Sequence, residues 1–364
     1  MDFLSFCMVL LSLFSVLFSI IQALRSKANP KRHLLPPGPK PFPFIGNLLE
    51  LGNEPHQSLT KLSQIYGPII TLQLGQVTTV VVSSPNTAKQ VLQTHDQFLS
   101  NRTVPDAIQA CDLRQDSLPW IPPSAKWRSL RQICNSQLFA AKILDANQPN
   151  RCVKVQELIS QVNESAINGE AVDIGRAAFK TTLNLLSRTV FSVDLADPSS
   201  EMAREFKETV WGLMEGAGSP NVGDFFPVLR KIDPQGIRRR MIKHFNKMEQ
   251  LFDRMISQRL ASRKAHDYVK TNDMLDTLLN ISEANSEDMD KTKIQHLLYL
   301  PGTDTTSATL EWAMAELLRN PEKLSKAQQE LEQIIGKGKP VEEADIARLP
   351  NLQAIIKETL TYKQ

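Results

Sequence analysis

The densest run of chemistry-bearing residues is Pro301-Gly302-Thr303-Asp304-Thr305-Thr306-Ser307, set between apolar Ile294 to Leu298 and the helical pattern of Ala308 to Leu318. A carboxylate beside a hydroxyl can relay protons to a bound ligand, and Asp304 with Thr305 is the pair suited to that task. Glycine and β-branched residues are poor helix formers, and short hydroxyl side chains compete for backbone carbonyls. Two structures satisfy such a run. One is a plain loop between helices, which Pro301-Gly302 favours; the other is a helix opened locally, so that Asp304 and Thr305 line a cavity.

Trp127 and Arg131 form a second candidate pair, four residues apart and so on one face of the helix that follows Pro122-Pro123-Ser124. A guanidinium beside an indole can hold an anionic group bidentately against an apolar surface. The plainer alternative is an Arg-Trp pair stacked on the surface. His-Glu-x-x-His, Gly-x-Ser-x-Gly, a phosphate-cradling Gly-x-x-x-x-Gly-Lys and a dinucleotide fingerprint are absent from the sequence. The four cysteines (Cys7, Cys111, Cys134, Cys152) form no Cys-x-x-Cys pair and suit a reducing compartment; none follows position 152.

The elements that must position these residues are mostly helical. Ile69 to Leu74 and Val77 to Ser83, joined by Gly75-Gln76, predict a β-hairpin, and Ser84-Pro85 then caps and starts a helix. From about Leu158 onward helical periodicity dominates, as in Leu183, Leu186, Val190 and in Met248, Leu251, Phe252, Met255. Asn320-Pro321 is expected to cap and start a helix that ends at Gly336; another begins near Pro350 with Leu352, Ile355, Ile356 and Leu360 on one face.

At 364 residues the chain has room for two domains or one large one, and with 41% hydrophobic and 22% charged residues it reads as a folded globular protein. A net charge of only +3 provides no basic footprint for nucleic acid. Phe3 to Leu24 is a 22-residue, largely apolar run, long enough to cross a bilayer core of about 30 Å, with Arg25, Lys27, Lys31 and Arg32 behind it. By the positive-inside rule the bulk of the chain stays cytosolic. Residues 1–24 are therefore expected to be a transmembrane anchor, with a cleaved signal peptide as the alternative, and 25–47 a basic, proline-rich linker whose Pro36-Pro37-Gly38-Pro39 stretch is stiff and extended. The sequons at Asn101, Asn163 and Asn280 are then expected to stay unmodified in cells, and an endoglycosidase-sensitive mass shift would overturn this topology. The run Arg238-Arg239-Arg240 reads as a solvated helix face, with anionic lipid as the alternative.

In this order, the anchor, Pro36-Pro37-Gly38-Pro39, Phe44-Ile45-Gly46-Asn47, Phe98-Leu99-Ser100-Asn101-Arg102, Trp127-Arg128-Ser129-Leu130-Arg131, Gly302-Thr303-Asp304-Thr305-Thr306 and Lys357-Glu358-Thr359-Leu360 resemble the cytochrome P-450 family of heme-thiolate monooxygenases. Trp120-Ile121-Pro122-Pro123-Ser124 and Thr309-Leu310-Glu311-Trp312 look most like the plant endoplasmic-reticulum group that includes geraniol and other monoterpenoid hydroxylases. The resemblance implies a mainly α fold, a helical prism with a small β region, which holds heme. It implies Trp127 and Arg131 on a heme propionate, Gly302 at a bend over the iron, and Asp304 and Thr305 as the proton relay. It also implies a small apolar, terpenoid-like substrate contacted by Thr103 to Pro119 and by Trp211 to Phe226. Electrons would come from NADPH through a flavin-containing reductase on the same endoplasmic-reticulum membrane.

Three departures from the family pattern bear on these expectations. Pro301 stands where the family has a small residue, and within a regular helix proline costs about 3 kcal/mol. Thr361 stands where an arginine should pair with Glu358, so that carboxylate must be exposed or protonated. The Phe-x-x-Gly-x-Arg-x-Cys-x-Gly loop that would supply the axial thiolate is absent. Residues 48–364 are therefore expected to be a partial, C-terminally truncated catalytic domain without an iron ligand and without activity. The alternative is a non-catalytic membrane-anchored fragment that binds partners or is degraded.

Overall fold

The computed structural model describes residues 12–13, 15–16, 34–111, 117–196, 200–266, 268, 270–271, 273–284, 289–298 and 302–362. The expected anchor lies outside these residues, apart from Ser12-Leu13 and Ser15-Val16, which are helical and exposed. Among the described residues no helix is long and apolar enough to cross a membrane. The chain divides into two compact units, Met1–Asp112 with Gly216–Ile242, and Leu113–Glu215 with Lys243–Gln364. Helices predominate and the described strands form one small sheet, as the mainly α expectation requires.

The first unit is built on α1 (Pro55–Tyr66), the hairpin β1 (Ile69–Leu74) and β2 (Val77–Val82), and α2 (Pro85–Lys89). The strands pair antiparallel from Ile69 opposite Val82 to Leu74 opposite Val77, around the predicted Gly75-Gln76 turn. Alternation sends Ile70 and Leu72 inward, and both are fully buried. Ser84 Oγ accepts from the Thr87 N–H with proline in the first turn, the predicted helix start. The proline-rich segment is more than a spacer, because its end lies along the free edge of β1. Thr71 N–H donates to Pro37 O (2.9 Å), Asn47 N–H to Gln73 O (2.6 Å), and Gln73 N–H to the buried Asn47 Oδ1 (2.8 Å).

Within the same unit, buried Asp106 accepts from Arg238 (2.8 Å), while its own N–H donates to Asp224 (2.7 Å). Arg239 pairs with Asp233 (3.2 Å), and Arg240 donates to Gln235 O (2.9 Å). The run Arg238-Arg239-Arg240 is thus not simply a solvated face. It falls at the start of the helix beginning at Ile237, where the turn before the helix presents a carboxylate and a carbonyl.

The second unit contains α3 (Ala125–Ile133), α4 (Gln148–Asn168), α5 (Ile174–Phe191), α6 (Glu201–Gly218), α7 (Ile237–Arg263), α8 (Met274–Ala284), α9 (Lys291–Leu298), α10 (Thr303–Arg319), α11 (Pro321–Ile334) and α12 (Pro350–Tyr362), α6 and α7 only in part. Met248, Leu251, Phe252 and Met255, one stripe of α7 by the 3.6-residue period, are all buried. They share one core with Leu183 of α5, Leu275 and Leu278 of α8, and Ile294 and Leu297 of α9.

Beside this core lies an ionic network. Arg259 grips Asp273 with two hydrogen bonds (2.8 and 2.9 Å) and donates to Phe191 O (2.8 Å). Arg263 donates to Asp276 Oδ1 (3.0 Å), and Tyr268 and Thr271 hydroxyls each donate to Asp276 Oδ2 at 2.6 Å. Burial pushes the Asp276 carboxyl up, but hydrogen bonds from Thr271, Tyr268, Arg263 and Arg259 outweigh it and hold the group far below the ordinary carboxylate range.

The last helices depart from expectation in local ways. Asn320 does not cap α11; its side chain donates backward to Glu316 O (2.8 Å), finishing α10 instead. The start of α12 is capped from a distance by Glu330, whose carboxylate accepts from Asn351 and Leu352 N–H (2.8 and 2.9 Å). Ile356 and Leu360 of the predicted inner face are exposed, because α12 packs on α10 and α11 along one flank only and buries Thr359 there. Glu358 is exposed, one of the two states expected of a carboxylate that lacks its arginine.

Candidate functional site

Ser124 ends the proline-rich turn and caps α3, its Oγ accepting from the Trp127 N–H (3.2 Å). The cap sets the helix phase that points Trp127 against the core and leaves Arg131 one turn on, exposed. The Arg131 guanidinium lies 5.0 Å from the centre of the Trp127 ring, within cation–π range. Among the described residues none accepts a hydrogen bond from that exposed guanidinium. After α3 the backbone continues as a π-helical turn, Cys134–Leu138. This change of pitch brings Asn135 and Ser136 into line with Trp127, Arg128, Arg131 and Gln132 around a recess of about 400 Å3. Asn135 and Ser136 were not legible as site residues, because no local composition marks a π turn.

The run that starts α10 is placed separately. Residues 299–301, Pro301 included, lie outside the described part, as does the Asp304 side chain. Gly302 is the N-cap of α10 and faces Leu186 of α5, where a Cβ would come within 3.0 Å of Leu186 Cδ1. Thr306 and Ser307 hydroxyls donate back to Gly302 O and Thr303 O (2.9 Å each), and Thr309 to Thr305 O (2.7 Å). These are the competing backbone bonds expected of short hydroxyl side chains in a helix. Thr305 itself is exposed. The structure therefore unites Trp127 with Arg131 and sets Gly302 and Thr305 on another helix, with no hydrogen bond or ion pair among the described residues joining the two groups. Of the proposed substrate-contacting segment, Val104, Ala107, Ile108 and Cys111 are buried in the first unit.

The described cysteines are Cys111, Cys134 and Cys152. Cys134 is buried, and burial pushes its thiol up despite the neighbouring Arg131. Cys111 is buried with its Sγ donating to Ala107 O (3.5 Å), and Cys152 is exposed on α4. No group of three or more His, Cys, Asp or Glu among the described residues could hold a metal ion. Arg131 beside the Trp127 ring can hold an anionic group against an apolar surface.

The family model described as Cytochrome P450 matches residues 36–363. The chain belongs to the cytochrome P450 family. It is 53% identical to geraniol 8-hydroxylase of Swertia mussotii over 94% of this chain and 69% of that one, and 52% identical to geraniol 8-hydroxylase of Catharanthus roseus over 90% and 66%. A Beta vulgaris protein named inactive cytochrome P450 76AD1 is 48% identical over 97% of this chain and 84% of its own length. The P450 chain thus spans about two thirds of the geraniol hydroxylases it matches.

Proposed function

We propose that this P450 serves the hydroxylation of a small apolar, terpenoid-like plant metabolite at a heme. Electrons would come from NADPH through a flavin-containing reductase, at an endoplasmic-reticulum membrane held by residues 1–24. Residues 25–47 would be the linker and 48–364 the catalytic-domain portion. The observation that carries the proposal is the Trp127–Arg131 pair, whose exposed guanidinium, without an acceptor among the described residues, suits a heme propionate in a chain about half identical to two geraniol 8-hydroxylases. Heme, when bound, supplies the oxidation of an unactivated C–H bond. This chain's own residues hold its carboxylate edge through Arg131, shield one side with the Trp127 indole, and move protons at Asp304 and Thr305. Gly302, in this proposal, keeps the start of α10 close against α5.

The 364 residues taken by themselves are expected not to turn over, because they lack the Phe-x-x-Gly-x-Arg-x-Cys-x-Gly loop and, of the described thiols, Cys134 is buried and its pKa pushed up. A second reading, a membrane-anchored partner-binding fragment without catalysis, draws support from the match to a relative named inactive. Both parts are tested by expressing the chain in membranes with heme precursor and recording the reduced, carbon-monoxide difference spectrum. No thiolate-type Soret band is expected, and its appearance would refute the claim of inactivity. In hemin titration, Arg131→Leu is expected to weaken binding about tenfold, the value of a lost charge-assisted hydrogen bond. Equal affinity for both chains would sink the propionate assignment.

A further inference from the structure

A second cavity, of about 320 Å3, shares no lining residue with the recess at Trp127 and lies wholly within the second unit. Its floor is apolar: Ala177 and Leu183 of α5 are buried, and Phe179 and Ala196 pack against the core. Its rim is cationic. Arg176 and Lys180 stand one turn apart on α5, and Lys207 faces them from α6. All three are exposed, and among the described residues none forms an ion pair or side-chain hydrogen bond. Other basic side chains of this unit are paired with carboxylates, as in Arg188 with Asp194, Arg151 with Glu343 and Arg254 with Glu205. The one carboxylate lining the cavity, Asp173, is turned to the backbone, where it caps α5 by accepting from Arg176 N–H (2.9 Å). Like charges four residues apart on a helix repel, and a third cation from α6 adds to the repulsion until an anion enters.

We infer that this cavity, formed by α4, α5 and α6, binds an amphipathic anion, a carboxylate or phosphate ester carried on a compact apolar body. The head is held by Arg176, Lys180 and Lys207, with Gln161 and Ser165 of α4 offering further polar groups at the edge. The body rests on Ala177, Phe179 and Leu183. The volume is at the small end of ligand sites, which limits the body to about one ring or a short chain. The inference does not depend on heme, on the thiolate or on the Trp127–Arg131 recess.

Isothermal titration of the full chain in nanodiscs with cyclohexyl phosphate and cyclohexanecarboxylate tests it, with cyclohexanol and inorganic phosphate as controls. At least one of the two amphipathic anions is expected to bind at least tenfold more tightly than either control. The double variant K180Q/K207Q, both exposed, is expected to weaken that anion at least tenfold while leaving cyclohexanol unchanged and the far-ultraviolet circular dichroism intact. Equal binding of cyclohexanol would overturn the role of the cations, and equal binding of inorganic phosphate that of the floor. Undiminished binding to the double variant, or no binding of either anion, would overturn the site itself.

Discussion

Asp276→Ala is expected to lower the unfolding free energy by about 3–5 kcal/mol, the cost of removing one partner from a buried ion pair. Asp276 is completely buried and accepts from Arg263, Tyr268 and Thr271, while Arg259 reaches its Oδ1 at 3.2 Å. Its removal takes from Arg263 its buried carboxylate, leaving only the more exposed Glu283 and Asn280 side chains, and frees the Tyr268 and Thr271 hydroxyls. The pH dependence has a definite sign. The folded-state pKa is depressed, so the carboxylate's contribution is fully present above the unfolded value of about 4 and is lost as pH falls below it. The Asp276 contribution to the stability of the parent chain should be level above about pH 5 and decline towards lower pH. Asp276→Asn should decline less steeply. Urea unfolding at pH 7 and pH 3 measures both effects. A loss below about 1 kcal/mol at pH 7, the range of an exposed ion pair, would show that the network is not buried as described.

The second large effect is expected at Gly46. Its φ is +63°, and a Cβ there would run into the backbone carbonyl of Gln73. That same carbonyl accepts the Asn47 N–H (2.6 Å), so alanine would both strain its own backbone and push β1 off the segment docked along its edge. Left-handed strain of about 1–2 kcal/mol, with two displaced hydrogen bonds worth about 1 kcal/mol each, gives about 3 kcal/mol or more. Gly52, at φ +57° with nothing within 4 Å of a Cβ, isolates the strain alone. Hydrogen exchange at the Gln73 and Gly75 amides should accelerate in Gly46→Ala far more than in Gly52→Ala. Equal protection in the two variants would refute the close approach.

Much of the architecture was legible because it is encoded over a few residues. The Gly75-Gln76 hairpin, the Ser84 and Ser124 caps and the α7 stripe at Met248, Leu251, Phe252 and Met255 all appear where spacing places them. The Trp127–Arg131 pair was legible for the same reason, since four residues make one helical turn. The failures also have a local cause. Asn320 was expected to look forward to α11 and instead bonds back to Glu316, because an asparagine between two helices has an unsatisfied end available on either side. Glu330, 21 residues away from Asn351, took up the cap of α12.

By itself the sequence determined the helical class, the hairpin, the helix phases and the family motifs from Pro36 to Leu360, because periodicity and capping act between near neighbours. Tertiary packing alone decided which charges meet. Asp106 finds Arg238 across 132 residues, Arg259 and Arg263 converge on Asp273 and Asp276, and Arg176, Lys180 and Lys207 line one cavity without forming an ion pair among the described residues. A charged side chain fixes its own need for a partner, but the partner's identity depends on which helix faces surround it once the apolar stripes have found their places.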